Sequence, residues 1–204
     1  MKTCFLSLLL FIFLGQGTIY SQQNQLQLKS SATAPLIDGI IDKDEWVDAQ
    51  EIKLQRTADW QVNILVKYDS NNLYVAFQNL SNPQLTRLNS EILIQTIVNE
   101  NNWDENCFWF HSSYSICYSQ GNYYNWEHCS NDSPGWKANT FPFTEGNNNM
   151  EFKIRFSKLQ IDQPNPGMKL RVAFKLSSAD ESHTYWPHEA DIQYPDSWGK
   201  LVFK

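Results

Sequence analysis

Apolar and polar residues alternate along most of this 204-residue chain, so the pattern repeats at every second position. Val62, Ile64 and Val66 fall on one side of such a segment, and Asn63 and Lys67 fall on the other. This alternation is typical of a β-strand that packs one face against a core. The strands that the pattern predicts cover residues 62–68, 73–77, 91–97, 107–118, 150–156, 169–176 and 201–203.

Helical periodicity is scarce. Asp42 and Glu45, three residues apart, resemble a capping box that begins a single helical turn. This turn is expected to carry Trp46 and Val47 inward, and residues 157–159 favour a second short turn. Many short strands separated by Asn, Gly and Pro are typical of all-β domains. We therefore predict an all-β, two-sheet antiparallel β-sandwich of the jelly-roll or immunoglobulin-like type, with one or two short helical turns.

The first residues have the three-part plan of a secretory signal peptide. Lys2 supplies a positive charge, residues 5–14 are almost wholly apolar, and residues 15–21 are small and polar. The apolar run is too short to span a bilayer, and Cys4 precedes it, so Cys4 is not placed as a lipoprotein cysteine. The predicted parts of the chain are a signal peptide at 1–21, an N-terminal lead-in at 22–35 and one domain at 36–204.

The expected product is a secreted or periplasmic protein without membrane insertion. It is long enough to bury a sizeable core. The chain carries a net charge of −6. This sign disfavours nucleic acid and anionic membrane surfaces as partners, because both require a basic surface on the protein. Neutral glycans impose no such requirement.

Cysteine usage agrees with an oxidising compartment. Three cysteines follow the signal, so one disulfide at most forms within the chain. Cys107 lies in a predicted strand and is expected to be free and buried. We predict a Cys117–Cys129 disulfide, since these residues flank a polar, aromatic loop. The alternative is a metal site that uses these cysteines with His111 or His128, and the absence of Cys-x-x-Cys spacing disfavours it.

Aromatic residues in polar loops are the candidate ligand contacts. A sugar ring has a flat face of C–H groups and an edge of hydroxyls, so its site combines an exposed aromatic ring with amide or carboxylate neighbours. Trp103 lies in an Asn/Asp/Glu loop, and Trp126 follows Tyr123 in a loop containing Asn. For any single tryptophan, a buried core position is the competing interpretation. The tryptophans that we interpret as core residues, because they lie on patterned segments, are Trp46, Trp109 and Trp198.

Four short patterns follow one another in a fixed order. They are Asp38-Gly39-Ile40-Ile41-Asp42 with Trp46, Tyr68-Asp69 with Leu73-Tyr74-Val75, Glu151-Phe152-Lys153-Ile154, and Trp186-Pro187 with Pro195-Asp196-Ser197-Trp198-Gly199. This order resembles the family 9 carbohydrate-binding modules and their DOMON-like relatives, over roughly residues 36–203. The resemblance implies a β-sandwich attached to, or secreted beside, enzymes that degrade polysaccharides.

Two further motifs refine this resemblance. Trp109-Phe110-His111-Ser112-Ser113 and Trp136-Lys137-Ala138-Asn139 resemble motifs of stand-alone exported members of the superfamily. In sugar-binding relatives a loop Trp followed by acidic residues precedes a strand, and Trp103-Asp104-Glu105-Asn106 is similar to that element. A second Trp of those relatives is missing from residues 190–195, where Tyr194 or Trp186 is the candidate substitute.

The resemblance therefore implies non-catalytic carbohydrate binding by an exported, monomeric domain that supports glycan degradation or uptake, and hence carbohydrate catabolism. The expected ligand is a polysaccharide or oligosaccharide. The residues assigned to ligand binding are Trp103, Asp104, Glu105, Tyr123, Trp126, Trp136 and Trp186. The alternatives are a secreted redox or haem-binding module of DOMON type and a protein-interaction domain.

Catalysis is not expected. A glycosidase needs two carboxyl groups facing one bond, and Glu91 and Glu151 open predicted strands in the manner of solvent-facing residues. The sequence contains no nucleophile elbow, phosphate loop or His-Glu-x-x-His pattern.

The sequence leaves two kinds of metal site open, a calcium site and a haem site. Calcium is structural in some relatives, and loops 38–44, 69–72 and 101–106 carry suitable oxygen ligands. Their Asp residues equally suit turns and caps. Haem would require His or Met ligands. The available ones are His111, His128, His183, His188, Met150 and Met168.

Overall fold

A computed structural model describes residues 24–81, 88–98, 101–112, 116–121, 128–129, 135–139, 149–178 and 182–204. Thirteen strands and two short 3-10 turns lie within these ranges. The strands are β1 Gln25–Leu28, β2 Gln50–Thr57, β3 Trp60–Tyr68, β4 Asn72–Gln78, β5 Asn89–Gln95, β6 Cys107–Ser112, β7 Ile116–Gln120, β8 His128–Cys129, β9 Trp136–Asn139, β10 Met150–Arg155, β11 Lys169–Ser177, β12 His183–Trp186 and β13 Gly199–Phe203. The turns are Phe156–Leu159 and Pro195–Ser197. None of the described segments is a helix long and apolar enough to cross a membrane.

The strands form two sheets that pack face to face, which confirms the predicted β-sandwich. The larger sheet has the order β1-β13-β11-β5-β6-β7-β8, and β12 shares an edge of β11 with β13. The smaller sheet has the order β2-β3-β4-β10-β9. Every pair of neighbouring strands is antiparallel except β1 and β13, which run parallel. The single strand predicted over residues 107–118 is in fact two paired strands, β6 and β7.

The core lies between the sheets and is formed by alternate residues of nearly every strand. Phe77, Phe152 and Phe174 are fully buried and meet edge to face, with ring centres 5.8 Å apart for the first two. Trp186 belongs to the same core and requires glycine at position 199, because a Cβ there would lie 2.6 Å from the Trp186 ring. The alternation in the sequence therefore identified the inward faces of these strands.

The segment between β1 and β2 covers the outer face of the smaller sheet. Trp46 from this segment is buried against Tyr74 and Ala76 of β4, as predicted for its core role. Val47 was expected to point inward with it, and this expectation is wrong, since Val47 is 75% exposed. A single turn of four residues has only one inward face, and Trp46 occupies it.

Glu151 anchors this covering segment. Its carboxylate accepts hydrogen bonds from the backbone N–H of Gly39 at 2.7 Å, from that of Asp38 at 3.2 Å and from Trp46 Nε1 at 3.0 Å. The side chain is fully buried, so its interpretation as solvent-facing is wrong. Burial raises the pKa of Glu151 to about 7. The Asp38-Gly39 turn, Trp46 and Glu151 are therefore parts of one structural joint, although more than 100 residues separate its halves.

Candidate functional site

The outer face of the larger sheet carries an aromatic cluster. Leu93 of β5, Trp109 of β6 and Ala173 of β11 lie side by side in register and point away from the core. Trp198 and Ala190 cover them from the loop before β13. The buried positions of Trp109 and Trp198 confirm their prediction as packed residues. They do not pack in the central core, however, but in this second cluster.

Trp103 lies at the edge of this cluster and remains partly exposed. Its ring centre is 6.4 Å from that of Trp109 and 5.6 Å from that of Trp198, which it meets nearly perpendicularly. Its indole N–H donates to the carbonyl oxygen of Ile192. These ring contacts and the hydrogen bond fix the orientation of the Trp103 ring. A partly exposed aromatic ring with a fixed orientation is suited to stacking against a flat apolar face of a ligand.

Hydrogen bonds fix the loop that presents Trp103. Gln95 Nε2 donates to the carbonyl of Asn102 at 3.3 Å, and Arg171 donates to Gln95 Oε1 at 2.8 Å. Asp104 Oδ1 accepts from the backbone N–H of Asn106 at 2.9 Å. Gln95 and Arg171 are buried on the outer face of the sheet. The loop therefore rests on a polar floor built by β5 and β11, and sequence reasoning missed both of these residues.

Tyr194 lies two residues from the carbonyl that accepts the Trp103 bond. It is 55% exposed, whereas most large apolar side chains in the described residues are buried. Its loop is tightly bonded: Ser197 Oγ donates to the Tyr194 carbonyl at 2.7 Å, and Trp198 Nε1 donates to the Asp191 carbonyl at 2.8 Å. Tyr194 thus adds a second accessible ring to the same end of the larger sheet.

A buried ion pair lies beside the aromatic cluster. Glu91 is 3% exposed and accepts from Lys175 Nζ at 3.1 Å, Ser177 Oγ at 2.7 Å and Trp109 Nε1 at 2.8 Å. The Lys175 ammonium also lies 5.1 Å from the Trp109 ring centre. The interpretation of Glu91 as a solvent-facing residue is therefore wrong. Burial, with the nearby Glu91 carboxylate, raises the pKa of Tyr185 to about 12.

The alternation of β11 carries the signal that would have revealed this polar face. Leu170, Val172 and Phe174 enter the core, while Arg171 and Lys175 occupy the opposite face between two neighbouring strands. Charged residues are ordinary on a sheet face that water reaches, and they are rarely buried unless they are paired. The pattern shows that a polar face exists, but it does not show which chain segments lie over it.

No protein-family model matches the chain, and no curated protein matches it. Solved structures do. A family 9 carbohydrate-binding module from Caldicellulosiruptor kristjanssonii, in complex with cellotriose, aligns with a TM-score of 0.58 at 16% identity, over 88% of this chain and 93% of that chain. A module of that family from the same organism, in complex with glucose, aligns with a TM-score of 0.57 at 16% identity, over 88% and 95%. The chain has the fold of these modules.

A third structure extends the comparison. A protein from Bacteroides uniformis ATCC 8492, provisionally described as carbohydrate-binding, aligns with a TM-score of 0.52 at 13% identity, over 88% of this chain and 99% of that chain. At these identities the likeness concerns the fold alone. The DOMON-like part of the resemblance stays a prediction.

The structure separates the predicted ligand-binding residues into three groups. Trp103, Asp104 and Glu105 share one loop at the end of the larger sheet, with Glu105 exposed. Trp136 and Trp186 are 5% and 2% exposed and belong to the core, so their assignment to ligand binding is wrong. The last group, Tyr123 and Trp126, lies outside the described residues.

The two misassigned tryptophans have clear packing partners. Trp136 stacks on Phe152 with ring planes 9° apart, and its ring centre is 5.2 Å from that of Phe110. Trp186 packs against Phe174, with the two ring centres 5.7 Å apart. Both residues lie on strands whose register turns them inward.

The cysteines follow the sequence prediction where they are described. Cys107 is free and buried, and burial raises the pKa of its thiol to about 12. Backbone register places Cys117 of β7 directly opposite Cys129 of β8. The side chain of Cys129 lies outside the described residues, so the disulfide stays a prediction.

Metal ligands do not converge in the part of the chain that the structure describes. No group of three His, Cys, Asp or Glu side chains there could hold an ion. The carboxylates proposed for calcium organise their own turns instead: Asp38 accepts from the Ile40 N–H, and Asp69 accepts from the Asn72 N–H. Met150 packs in the core between the two sheets. His111 lies on the outer face of the larger sheet, where burial lowers its pKa.

Proposed function

We propose that this protein is an exported, monomeric, non-catalytic carbohydrate-binding domain that supports the degradation or uptake of a polysaccharide. The observation that carries the proposal is the Trp103 ring, which is partly exposed and held by Trp109, Trp198 and the Ile192 carbonyl. The fold shared with modules crystallised with cellotriose and glucose supports it. Secretion to the periplasm or beyond rests on the signal sequence.

The proposed contacts are Trp103 and Tyr194 as aromatic surfaces, with Asp104 and Glu105 as hydrogen-bond acceptors for sugar hydroxyls. Tyr194 replaces Trp186 in this assignment because Trp186 is buried. A fixed ring loses little conformational freedom when it stacks on a sugar, so more of the contact energy contributes to affinity. Asp104 is already bonded to Asn106, which fixes the direction of its carboxylate.

The first test is a glycan array, followed by calorimetric titration with cellotriose and with any polysaccharide that the array retains. Trp103→Ala should weaken binding about thirtyfold, because loss of an aromatic anchor costs about 2 kcal/mol. Trp103→Phe should retain most of that affinity. Unlike an isolated loop residue, Trp103 also packs on Trp109, so we expect the Ala variant to lose about 1 kcal/mol of unfolding free energy as well.

Tyr194→Ala separates binding from stability. Because its ring is exposed, this change should weaken sugar binding and leave the melting temperature within about 1 °C of wild type. Tyr194→Phe is the matched control, since it keeps the stacking surface and removes only the hydroxyl. Full affinity in both Trp103→Ala and Tyr194→Ala would place the sugar site elsewhere. A haem absorption band in the purified protein would favour the redox alternative.

A further inference from the structure

We propose a second ligand site, for a monosaccharide unit that carries one anionic group, in a cleft on the outer face of the smaller sheet. The cleft has a volume of about 400 Å³, within the range of small-molecule sites. It lies where the β3–β4 turn meets the end of β10 and the 3-10 turn that follows. The residues that line it include Asn71, Lys153, Arg155, Ser157 and Asp162.

Positive charge is concentrated along this face. Lys153 and Arg155 are two residues apart on β10, so their side chains leave the sheet on the same side. Lys137 of β9 lies directly opposite Lys153 in register. Like charges at opposed positions disfavour each other. A ligand with a negative charge would relieve this repulsion.

No described carboxylate lies within ion-pair distance of these cations. The ion pairs among described residues join other groups, and none includes Lys137, Lys153 or Arg155. Glu151 lies two residues before Lys153 on the same face, but its oxygens are occupied by the Gly39 and Trp46 donors. In a chain of net charge −6, this local excess of positive charge is a specific feature rather than a general one.

The remaining lining residues favour a sugar over a bare anion. Asp162 lies in the same cleft as Lys153 and Arg155. Its carboxylate would repel an inorganic anion, but it can accept hydrogen bonds from sugar hydroxyls. Asn71 and Ser157 can both donate and accept. A uronate or a sulfated sugar satisfies both needs, with its anionic group on the two cations and its hydroxyls on the polar rim.

This site is independent of the aromatic site, because it lies on the other sheet. Titration of the ¹⁵N-labelled protein, monitored by amide chemical shifts, tests it directly. D-Glucuronate should shift the amides of residues 71–72, 153–157 and 162, and D-glucose at the same concentration should not. D-Glucose 6-sulfate tells whether sulfate serves as well as carboxylate. Shifts scattered over the surface, or equal shifts with D-glucose, would overturn the proposal.

Variants that remove charged side chains test which residues bind the carboxylate of D-glucuronate. Lys153→Gln/Arg155→Gln should weaken D-glucuronate binding about tenfold or more, since it removes the charged partners of the carboxylate. Lys29→Gln/Lys53→Gln changes the net charge equally at exposed positions and should bind as wild type does. Asp162→Asn should weaken binding, and tighter binding there would contradict a hydroxyl-bearing ligand. Trp103→Ala should leave D-glucuronate binding unchanged, so the failure of either site is recognised separately.

Discussion

The outer faces of the two sheets both carry apolar residues, and these residues are covered in different ways. On the smaller sheet, a segment of the chain itself lies over Tyr74 and Ala76, and Glu151 fixes it from below. On the larger sheet, Trp198 and Ala190 bury Trp109, and the ring of Trp103 at the edge of this cluster remains partly exposed. Both faces therefore place a carboxylate beside a buried indole, but only the larger sheet adds a partly exposed ring, that of Trp103, at the edge of its cluster. The difference indicates which of the two faces offers aromatic rings to a ligand.

The largest expected effect comes from a substitution in the covered outer face of the smaller sheet. Trp46→Ala should reduce the free energy of unfolding by about 3–5 kcal/mol, because it leaves a cavity above Tyr74 and removes a donor from Glu151. Urea unfolding followed by circular dichroism measures this loss. Trp103→Ala is the counterpart on the larger sheet, and its loss should be clearly smaller. Equal losses would mean that the two faces are packed alike.

The next largest loss of stability should come from the buried ion pair on the outer face of the larger sheet. Glu91→Ala should cost about 3 kcal/mol, because it leaves Lys175 buried without its carboxylate. Glu91→Ala/Lys175→Met should recover part of this loss, since the second change removes the stranded charge. A double-mutant cycle of unfolding free energies quantifies the recovery. A double variant that is less stable than Glu91→Ala would contradict the assignment.

The predicted disulfide should contribute somewhat less. If Cys117 and Cys129 are bonded, peptide mapping without reduction will recover them as one linked species, with Cys107 as a free thiol. Reduction should then lower the free energy of unfolding by about 2–3 kcal/mol through release of the enclosed loop. Cys107→Ser is the control that removes a thiol without opening a loop. Linkage of Cys107 to either partner would refute the pairing.

A further expected effect concerns pH and the hydrogen-bonded joint at Glu151. Burial raises its pKa from 4.5 to about 7, so between these two pH values the folded state holds a proton that the unfolded chain has released. The stability that this proton gives is complete below pH 4.5 and is lost as pH rises through 7. Glu151→Gln should remove this slope. Because the Gln amide conflicts with the Trp46 donor, the comparison is made in a Trp46→Phe background, from unfolding curves between pH 4 and 8.

Alternation along the chain was enough to predict the sandwich and most strands, since Val62, Ile64 and Val66 occupy the buried face that the pattern assigns to them. The same pattern could not tell which side of the sandwich an outward residue meets. Trp109 and Trp136 both lie on strands, yet one packs on the outer face and the other in the core. That distinction depends on sheet order, which pairs segments distant in sequence.

The candidate site was predictable only in part. Trp103 was found because a tryptophan among Asn, Asp and Glu is unusual for a core position. Glu91 and Glu151 were misread, because the groups that bury them come from other parts of the chain: Lys175 and Ser177 for Glu91, and the Gly39 backbone for Glu151. Local sequence does not record such distant partners.

The pairing of the first described strand with the last imposes an order on folding. Among the described strands, β1 pairs in the larger sheet only with β13, with Leu28 opposite Phe203 and the Lys204 N–H donating to the Leu28 carbonyl at 2.9 Å. Contacts between such distant segments carry a high loop-closure cost and form late. During synthesis β1 is therefore the first of the described strands to emerge, and it waits for β13 before it can pair within the larger sheet. The edge of the larger sheet is completed only after translation has passed its final strand.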